Sequence, residues 1–221
     1  MGQETFWPLF GLSVRTPRLE LRLPREDEFG ALIDVVDAGI HEPGTMPFST
    51  PWTENEPSAR ARQAAQFWWR QRANWNPYDW AFTGAVFIDG QPVGVQELSA
   101  KHFGAVRAVE TGSWLGVAHQ GKGFGREMRE AVLHLAFAGL GAEEALSGAF
   151  EDNESSLATS RAVGYEENGE ARGPRRDGSG RTIRFRMSRQ RWEDRRRRDI
   201  EIIGLEGCRD MFTGPAPALN E

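Results

Sequence analysis

The stretch Glu110-Thr111-Gly112-Ser113-Trp114-Leu115-Gly116-Val117-Ala118-His119-Gln120-Gly121-Lys122-Gly123-Phe124-Gly125-Arg126 decides how this chain is read. Residues 106 to 115 have strand character. Residues 116 to 125 form a glycine-rich turn. After it, Met128, Val132, Leu135, Ala136 and Leu140 fall on one stripe at helical spacing, and Gly139 and Gly141 close the helix. The unit is therefore strand, tight turn, helix. Glycines let the backbone turn sharply and approach another group closely. The first amides of the helix lack intrahelical acceptors, and with the helix dipole they suit a phosphate or pyrophosphate.

Several phosphate-binding turns share this layout, and spacing separates them. A dinucleotide fingerprint requires G-x-G-x-x-G. Gly121 and Gly123 match it, but Arg126 stands at the third glycine. A Walker A loop requires G-x-x-x-x-G-K-[ST]. Gly116, Gly121 and Lys122 match, but Gly123 replaces the hydroxyl that would hold magnesium. The pattern that fits is Q-x-x-G-x-G, on Gln120, Gly123 and Gly125.

Outward from that unit, Arg18 to Leu23 alternates as a half-buried strand ended by Pro24. Asp27 is expected to cap a helix bearing Phe29, Leu32, Ile33 and Val36. Residues 41 to 57 hold four prolines and read as a long loop; Ser58 opens a second helix to about Arg72. Strands at 80–88 and 92–99 flank Asp89-Gly90, a hairpin signal. Ala145 to Phe150 is a short strand, followed by a helix from about Ser155 to Ala162 that Gly164 stops. Residues 170 to 181 read as a mobile hairpin loop and Thr182 to Met187 as a strand. Arg195 to Arg198 reads as a solvated helix face or linker, and the segment after Thr213 as irregular. This order specifies an α/β (mixed α+β) domain with a mixed sheet.

Composition narrows the classes. The formal net charge is -5, which does not favour nucleic acid as a partner. Cys208 is the single cysteine, so no disulfide can form within the chain, and the histidines His41, His102, His119 and His134 are scattered. No apolar run reaches the ~20 residues of a membrane span, and Met1 to Phe10 lacks secretory-signal character. A cytoplasmic location is expected. Trp68, Trp69, Trp75 and Trp80 are expected in the core or on a homodimer surface.

The Gln120–Gly125 pattern, in its context, resembles the pyrophosphate loop of the GNAT N-acetyltransferase superfamily. The segment from Glu110 to Leu115 resembles the strand before that loop in the RimJ/RimL branch. Asn153-Glu154-Ser155-Ser156 with Ser160-Arg161-Ala162-Val163-Gly164-Tyr165 resembles that branch's N-x-x-S…G-F segment, and Thr16 to Arg22 its opening strand. Met46-Pro47-Phe48 and Gly112 to Gly116 are also similar to an actinobacterial subgroup that includes a mycobacterial succinyltransferase.

The resemblance covers roughly residues 14 to 190 as one acyltransferase domain, with extensions at 1–13 and 191–221. It implies a central, mostly antiparallel sheet with two splayed strands. It implies acetyl-CoA or succinyl-CoA as acyl donor, no metal, and transfer to a primary amine of a protein N-terminus, a lysine or a small molecule. Gln120, Gly121, Lys122, Gly123, Phe124, Gly125 and Arg126 would hold the pyrophosphate. Leu115 and Val117 would meet the pantetheine arm through their backbone, and Asn153 would meet it from the other side. Glu110 is the first choice for general base and Glu97 the second. The family's acid tyrosine is replaced by Ser160, which with Ser156 could serve the leaving thiolate. A succinyl donor would need a cation in the cleft, from His41, Lys101, His102 or the arginines of 172–184, whereas Met46, Phe48 and Trp52 would close an acetyl-only cleft. The alternative is a noncatalytic acyl-CoA-binding sensor or scaffold.

Overall fold

The computed structural model describes residues 2–176 and 178–214. Nine strands form one sheet. In chain order they are β1 (Ser13–Arg15), β2 (Glu20–Arg22), β3 (Asp79–Ile88), β4 (Gln91–Lys101), β5 (Ala108–Leu115), β6 (Glu144–Phe150), β7 (Glu166–Arg175), β8 (Gly178–Ser188) and β9 (Glu201–Ile203). Their spatial order is β7-β8-β6-β5-β4-β3-β2-β1-β9. Every neighbouring pair is antiparallel except β5 and β6. That parallel pair requires a crossover, which helix α4 (Phe124–His134) supplies.

Helices cover both faces. Helices α1 (Phe29–Asp37) and α2 (Pro57–Ala73) lie on one, where Phe29, Leu32 and Trp68 pack on Ala85, Phe87 and Val95. On the other, Met128 and Val132 of α4, with Ala136 in the π-helical turn that continues it (Leu135–Gly139), join Leu98, Val109 and Leu115 of the sheet. Helix α5 (Glu154–Val163) packs beside α4. Trp68 and Trp80 are buried, Trp75 stacks on Trp80, and Trp69 is exposed.

Three local expectations change. Asp27 caps nothing: it sits in a 3-10 turn at Glu26–Glu28, and the Glu28 carboxylate instead accepts the Arg25 N–H at 2.7 Å. A short helix α3 (Phe103–Val106) precedes β5 and delays its start to Ala108. The segment read as a loop at 170–181 is a hairpin of strands β7 and β8, with Asp177 outside the described residues. The Asp89-Gly90 turn forms as expected, with both residues at positive φ.

The segments read as extensions join this core. β9 pairs with β1, and Leu9, Leu12, Ile200, Leu205 and Phe212 lie in the main cluster. The short helix α6 (Arg189–Glu193) precedes β9, and α7 (Asp210–Thr213) follows it. The irregular segment expected after Thr213 lies, from residue 215 on, outside the described residues. Ile200→Val should therefore cost about 1 kcal/mol in chemical denaturation. An unchanged midpoint would mean that the C-terminal segment does not contribute to the cooperative core.

Candidate active site

β5 ends at Leu115, and Gly116 donates its N–H to Val93 O at 2.9 Å. Gly121 and Gly123 then take φ of +72° and +83°, a region that costs other residues strain. Gly123 precedes the first residue of α4, and no side chain caps that helix, so its first amides are left to an outside acceptor. The turn is braced from two sides. Gln120 Nε2 donates to Leu115 O (2.7 Å) and Ile40 O (3.0 Å). Arg18 donates to Lys122 O (3.2 Å) and to the buried carboxylate of Glu127 (2.6 Å), and lies over the Phe124 ring. Thr16 Oγ1 also donates to Glu127, at 2.6 Å. Lys122 Nζ folds back onto Ala118 O, and Arg126 pairs with Glu130.

Beside the turn the sheet opens. β5 and β6 pair from Ala108↔Glu144 to Thr111↔Ser147 and then part. Residues 112–115 face a gap whose other wall is Gly148 to Phe150, held in turn by β8. The Leu115 carbonyl is taken by Gln120, and the Val117 N–H donates to Gly39 O. Beyond Thr111 no strand pairs with this edge of β5, although the Gly112 carbonyl accepts from Gln96 Nε2 at 2.9 Å. Gly125 borders the gap: a Cβ there would stand 3.9 Å from Thr159 Oγ1 of α5.

Asn153 heads α5, its Oδ1 accepting from the Ser156 N–H at 3.2 Å, which leaves its amide Nδ2 uncommitted. Asn153→Ala should lower stability by about 1 kcal/mol through the lost cap. Asn153→Asp should keep the cap, and circular dichroism melts of the two variants separate these outcomes. Ser156 is half-buried. Ser160, one turn on, is 1% exposed, and its Oγ has no hydrogen-bond partner. A buried hydroxyl without a partner costs stability unless a bound group satisfies it.

The two candidate bases lie on the α1/α2 face. Glu97 pairs across β5 with Gly112, level with the point where the strands part. Glu110 is exposed and lies below the opening, beside Leu146. Burial raises the Glu97 carboxyl above its ordinary pKa; the Thr83 hydroxyl opposes this, the charge of Glu110 adds to it, and the Ser99 hydroxyl opposes it. Phe48, Trp52 and Trp114 form a run of rings on the same side, at centroid spacings of 5.4 and 6.4 Å. Met46 is buried, and Arg175 of the β7–β8 hairpin holds its carbonyl at 2.6 Å.

The opposite side of the opening carries residues that spacing did not single out. Arg129, on the buried stripe of α4, is 3% exposed. Its Nη2 donates to Ser113 Oγ (3.0 Å), its Nη1 to Ser147 Oγ (3.1 Å) and its Nε to Gln96 Oε1 (3.4 Å). It thus ties the two parting strands together at their junction. Tyr165 stands beside it, its hydroxyl 3.1 Å from Thr111 Oγ1. The available signal was a lone arginine among apolar helix positions.

Of the other cations proposed for the cleft, Lys101 and Arg184 have no hydrogen-bond or ion-pair partner among the described residues, and several are engaged elsewhere. His41 meets Thr53 at 2.8 Å, His102 packs on Tyr78, and Arg175, Arg176 and Arg181 pair with Asp152, Glu54 and Glu151. Among the described residues no group of three His, Cys, Asp or Glu side chains could hold a metal ion.

Residues 18–166 match the family model described as the acetyltransferase (GNAT) domain. The structure is similar to Mycobacterium smegmatis RimJ in complex with a CoA disulfide, at a TM-score of 0.68 and 17% identity over 89% of this chain and 91% of that one. It is similar to RimL, a ribosomal-protein alpha-N acetyltransferase, in complex with coenzyme A (TM-score 0.63, 17% identity, 78% and 95% covered). It is also similar to the microcin C7 self-immunity acetyltransferase MccE with acetyl-CoA and AMP (0.60, 18%, 78% and 93%). With the family model spanning the opening strand, the glycine turn and the parting strands, the chain belongs to the GNAT acetyltransferase family.

Proposed function

We propose that this protein transfers an acyl group from acyl-CoA to a primary amine of a protein, a peptide or a small molecule. The observation that carries this reading is the gap between 112–115 and 148–150, which opens directly onto the uncapped start of α4. The fit to coenzyme A rests on three features of this chain. The amides of Gly121 to Arg126 suit the pyrophosphate. The open edge of β5 and the uncommitted amide of Asn153 suit the pantetheine. The unpartnered Ser160 hydroxyl beside the gap suits a further polar group of the donor. The donor is acetyl-CoA, with succinyl-CoA as a second donor where a cation serves the acyl end.

The thioester supplies an activated carbonyl carbon, to which the amine nitrogen bonds while the C–S bond breaks and its electron pair leaves on sulfur. The protein's part begins with the acceptor, which arrives as an ammonium. Glu97, at the level of the opening, takes its proton directly or through a water. The raised pKa of Glu97 suits a base working near neutral pH better than an exposed carboxylate would. Glu110 stands nearer solvent and tunes Glu97 by its charge. The rings of Phe48, Trp52 and Trp114 give the ammonium an aromatic wall.

Two measurements test the donor assignment. Native mass spectrometry of the purified protein should show CoA or an acyl-CoA, and added CoA should raise the melting temperature. A folded protein that shows neither would remove the assignment.

A further inference from the structure

Residues 41 to 57 include Pro43, Pro47, Pro51 and Pro57, none of which can donate a backbone hydrogen bond. The segment still lies close over the sheet: Met46 is 1% exposed, and Phe48 and Trp52 continue the run of rings that ends on Trp114 of β5. Its own backbone bonds are local turns, such as Thr45 to Glu42 and Glu54 to Pro51. Arg60 of α2 fixes its last part through Thr53 O and Asn55 O. Among the described residues, hydrogen bonds from beyond 41–57 reach the stretch 43–52 at one point alone, the Met46 carbonyl.

Arg175 makes that connection. Its Nε and Nη2 donate to Met46 O at 2.8 and 2.6 Å, its Nη1 donates to Asp152 Oδ2 at 2.9 Å, and its guanidinium lies over the Phe150 ring, 4.4 Å from the centroid. Phe150 ends β6. Ala145 and Ala149 of that strand belong to the main cluster on the α4 side, so alternation sets Phe150 on the α1/α2 face, where Trp114 also packs. The link thus runs from the β6 wall of the gap to a loop resting on the β5 wall. It crosses the opening on the side where Glu97 stands. A second tie, Arg176 with Glu54, joins exposed groups and holds weakly. Loss of Arg175 would leave the carbonyl of a buried residue without a donor, so the docking of the loop and this contact depend on each other.

We propose that Arg175 is a positioning residue for the acceptor: by docking 41–57 across the gap it sets Phe48 and Trp52 beside Trp114 and completes the wall along which the amine reaches Glu97. This rests on the acyl-transfer reading above and adds the residue that assembles its acceptor side. Arg175 acts through the Met46 backbone rather than on the amine. The glycine turn and the start of α4, which serve the donor, have their own braces in Gln120 and Arg18.

Hydrogen exchange of the ligand-free protein, read by mass spectrometry, reports the docking by itself. Peptides covering 44–56 should be protected in the wild type and should exchange roughly 10- to 150-fold faster in Arg175→Met, the range for a lost charged hydrogen bond, with α4 unchanged. A wild-type segment without protection would overturn the proposal, and that comparison needs no variant. Steady-state rates with acetyl-CoA and the fastest amine of a panel (an N-terminal peptide, a lysine peptide and small primary amines) read the function. In Arg175→Met the KM for the amine should rise about tenfold or more, kcat should fall less, and CoA affinity by isothermal titration should stay unchanged. Phe48→Ala should raise the amine KM as well, and the double variant should be no worse than the worse single one, because both remove the same wall. Arg175→Lys keeps a donor and the charge and should recover part of the loss. An amine KM that Arg175→Met leaves alone, or an equal loss of amine and CoA affinity, would reduce Arg175 to a structural tie and overturn the proposal. A wild type that releases no thiol with any amine would fail the acyl-transfer reading itself, a result distinct from an active enzyme whose amine KM ignores Arg175.

Discussion

Glu97→Gln should lower kcat/KM on a protonated amine by roughly 10²–10⁴-fold at neutral pH, the contribution of a positioned general base. The substitution preserves the shape of the side chain and the hydroxyl contact from Thr83. It removes only the proton acceptor. In the wild type the rate should rise with pH as Glu97 ionises. Burial and the Glu110 charge place that rise above the range of an ordinary carboxylate, because both disfavour the charged form. Glu110→Gln should shift the rise to lower pH, with a smaller loss of rate, since it withdraws a repelling charge from Glu97. The variant's deficit should shrink as pH passes the pKa of the acceptor amine, about 7.7–8.0 for an α-amine or about 10.4 for a lysine, because the nucleophile is then already deprotonated. A full rate at pH 7 in Glu97→Gln would assign the proton to Glu110 or to bulk water.

Gly125→Val should reduce CoA affinity by two orders of magnitude or more while the protein stays folded. Gly125 lies in the first turn of α4 without a positive φ, and a Cβ there would stand in ordinary contact with Thr159 Oγ1 of α5, at 3.9 Å. A valine there costs the fold little, yet its branched side chain stands on the first turn of α4, where the pyrophosphate is proposed to meet the helix amides. Gly123 behaves differently. Its φ of +83° strains any L side chain, so Gly123→Val should lose stability as well as affinity. Titration of CoA, with circular dichroism as the folding check, reads both. Unchanged affinity in a folded Gly125→Val would place the pyrophosphate elsewhere.

Much of this architecture was legible because local chemistry decides it. Asp89-Gly90 needs positive φ at both positions and sits between two alternating runs, so the β3–β4 hairpin follows. The three glycines before the Met128–Leu140 stripe specify strand, turn and helix, and Gly164 ends α5 at a φ of +110°. Of the β7–β8 hairpin, the Thr182–Met187 strand and a hairpin connection at 170–181 were legible, but not the ladder that runs through that connection. Most of its residues are solvated, so the period-2 apolar signal is missing, and the ladder is supported by pairs such as Arg181 with Glu151 and Glu170. β1 and β9 are three residues each and meet only because distant segments fold together.

The site divides along the same line. The glycine turn, Gln120 and Asn153 carry local signatures. The roles of Arg18 and Arg129 depend on partners far away in sequence: Glu127 and Lys122 for the first, Gln96, Ser113 and Ser147 for the second. The resemblance ranks Glu110 ahead of Glu97 as general base, without a view of where either stands. They separate only when the register places one beside the opening and leaves the other in solvent.

The central claim is that acyl-CoA held in this gap gives up its acyl group to an amine. It is tested most directly by free-thiol release from acetyl-CoA and succinyl-CoA with a panel comprising an N-terminal peptide amine, a lysine peptide and small primary amines. The account predicts thiol release matched by acylated amine for at least one acceptor, lost in Gly125→Val and sharply reduced at neutral pH in Glu97→Gln. CoA binding with no thiol release from either donor, for any amine across the pH range, would contradict it and leave an acyl-CoA-binding sensor or scaffold on a GNAT fold.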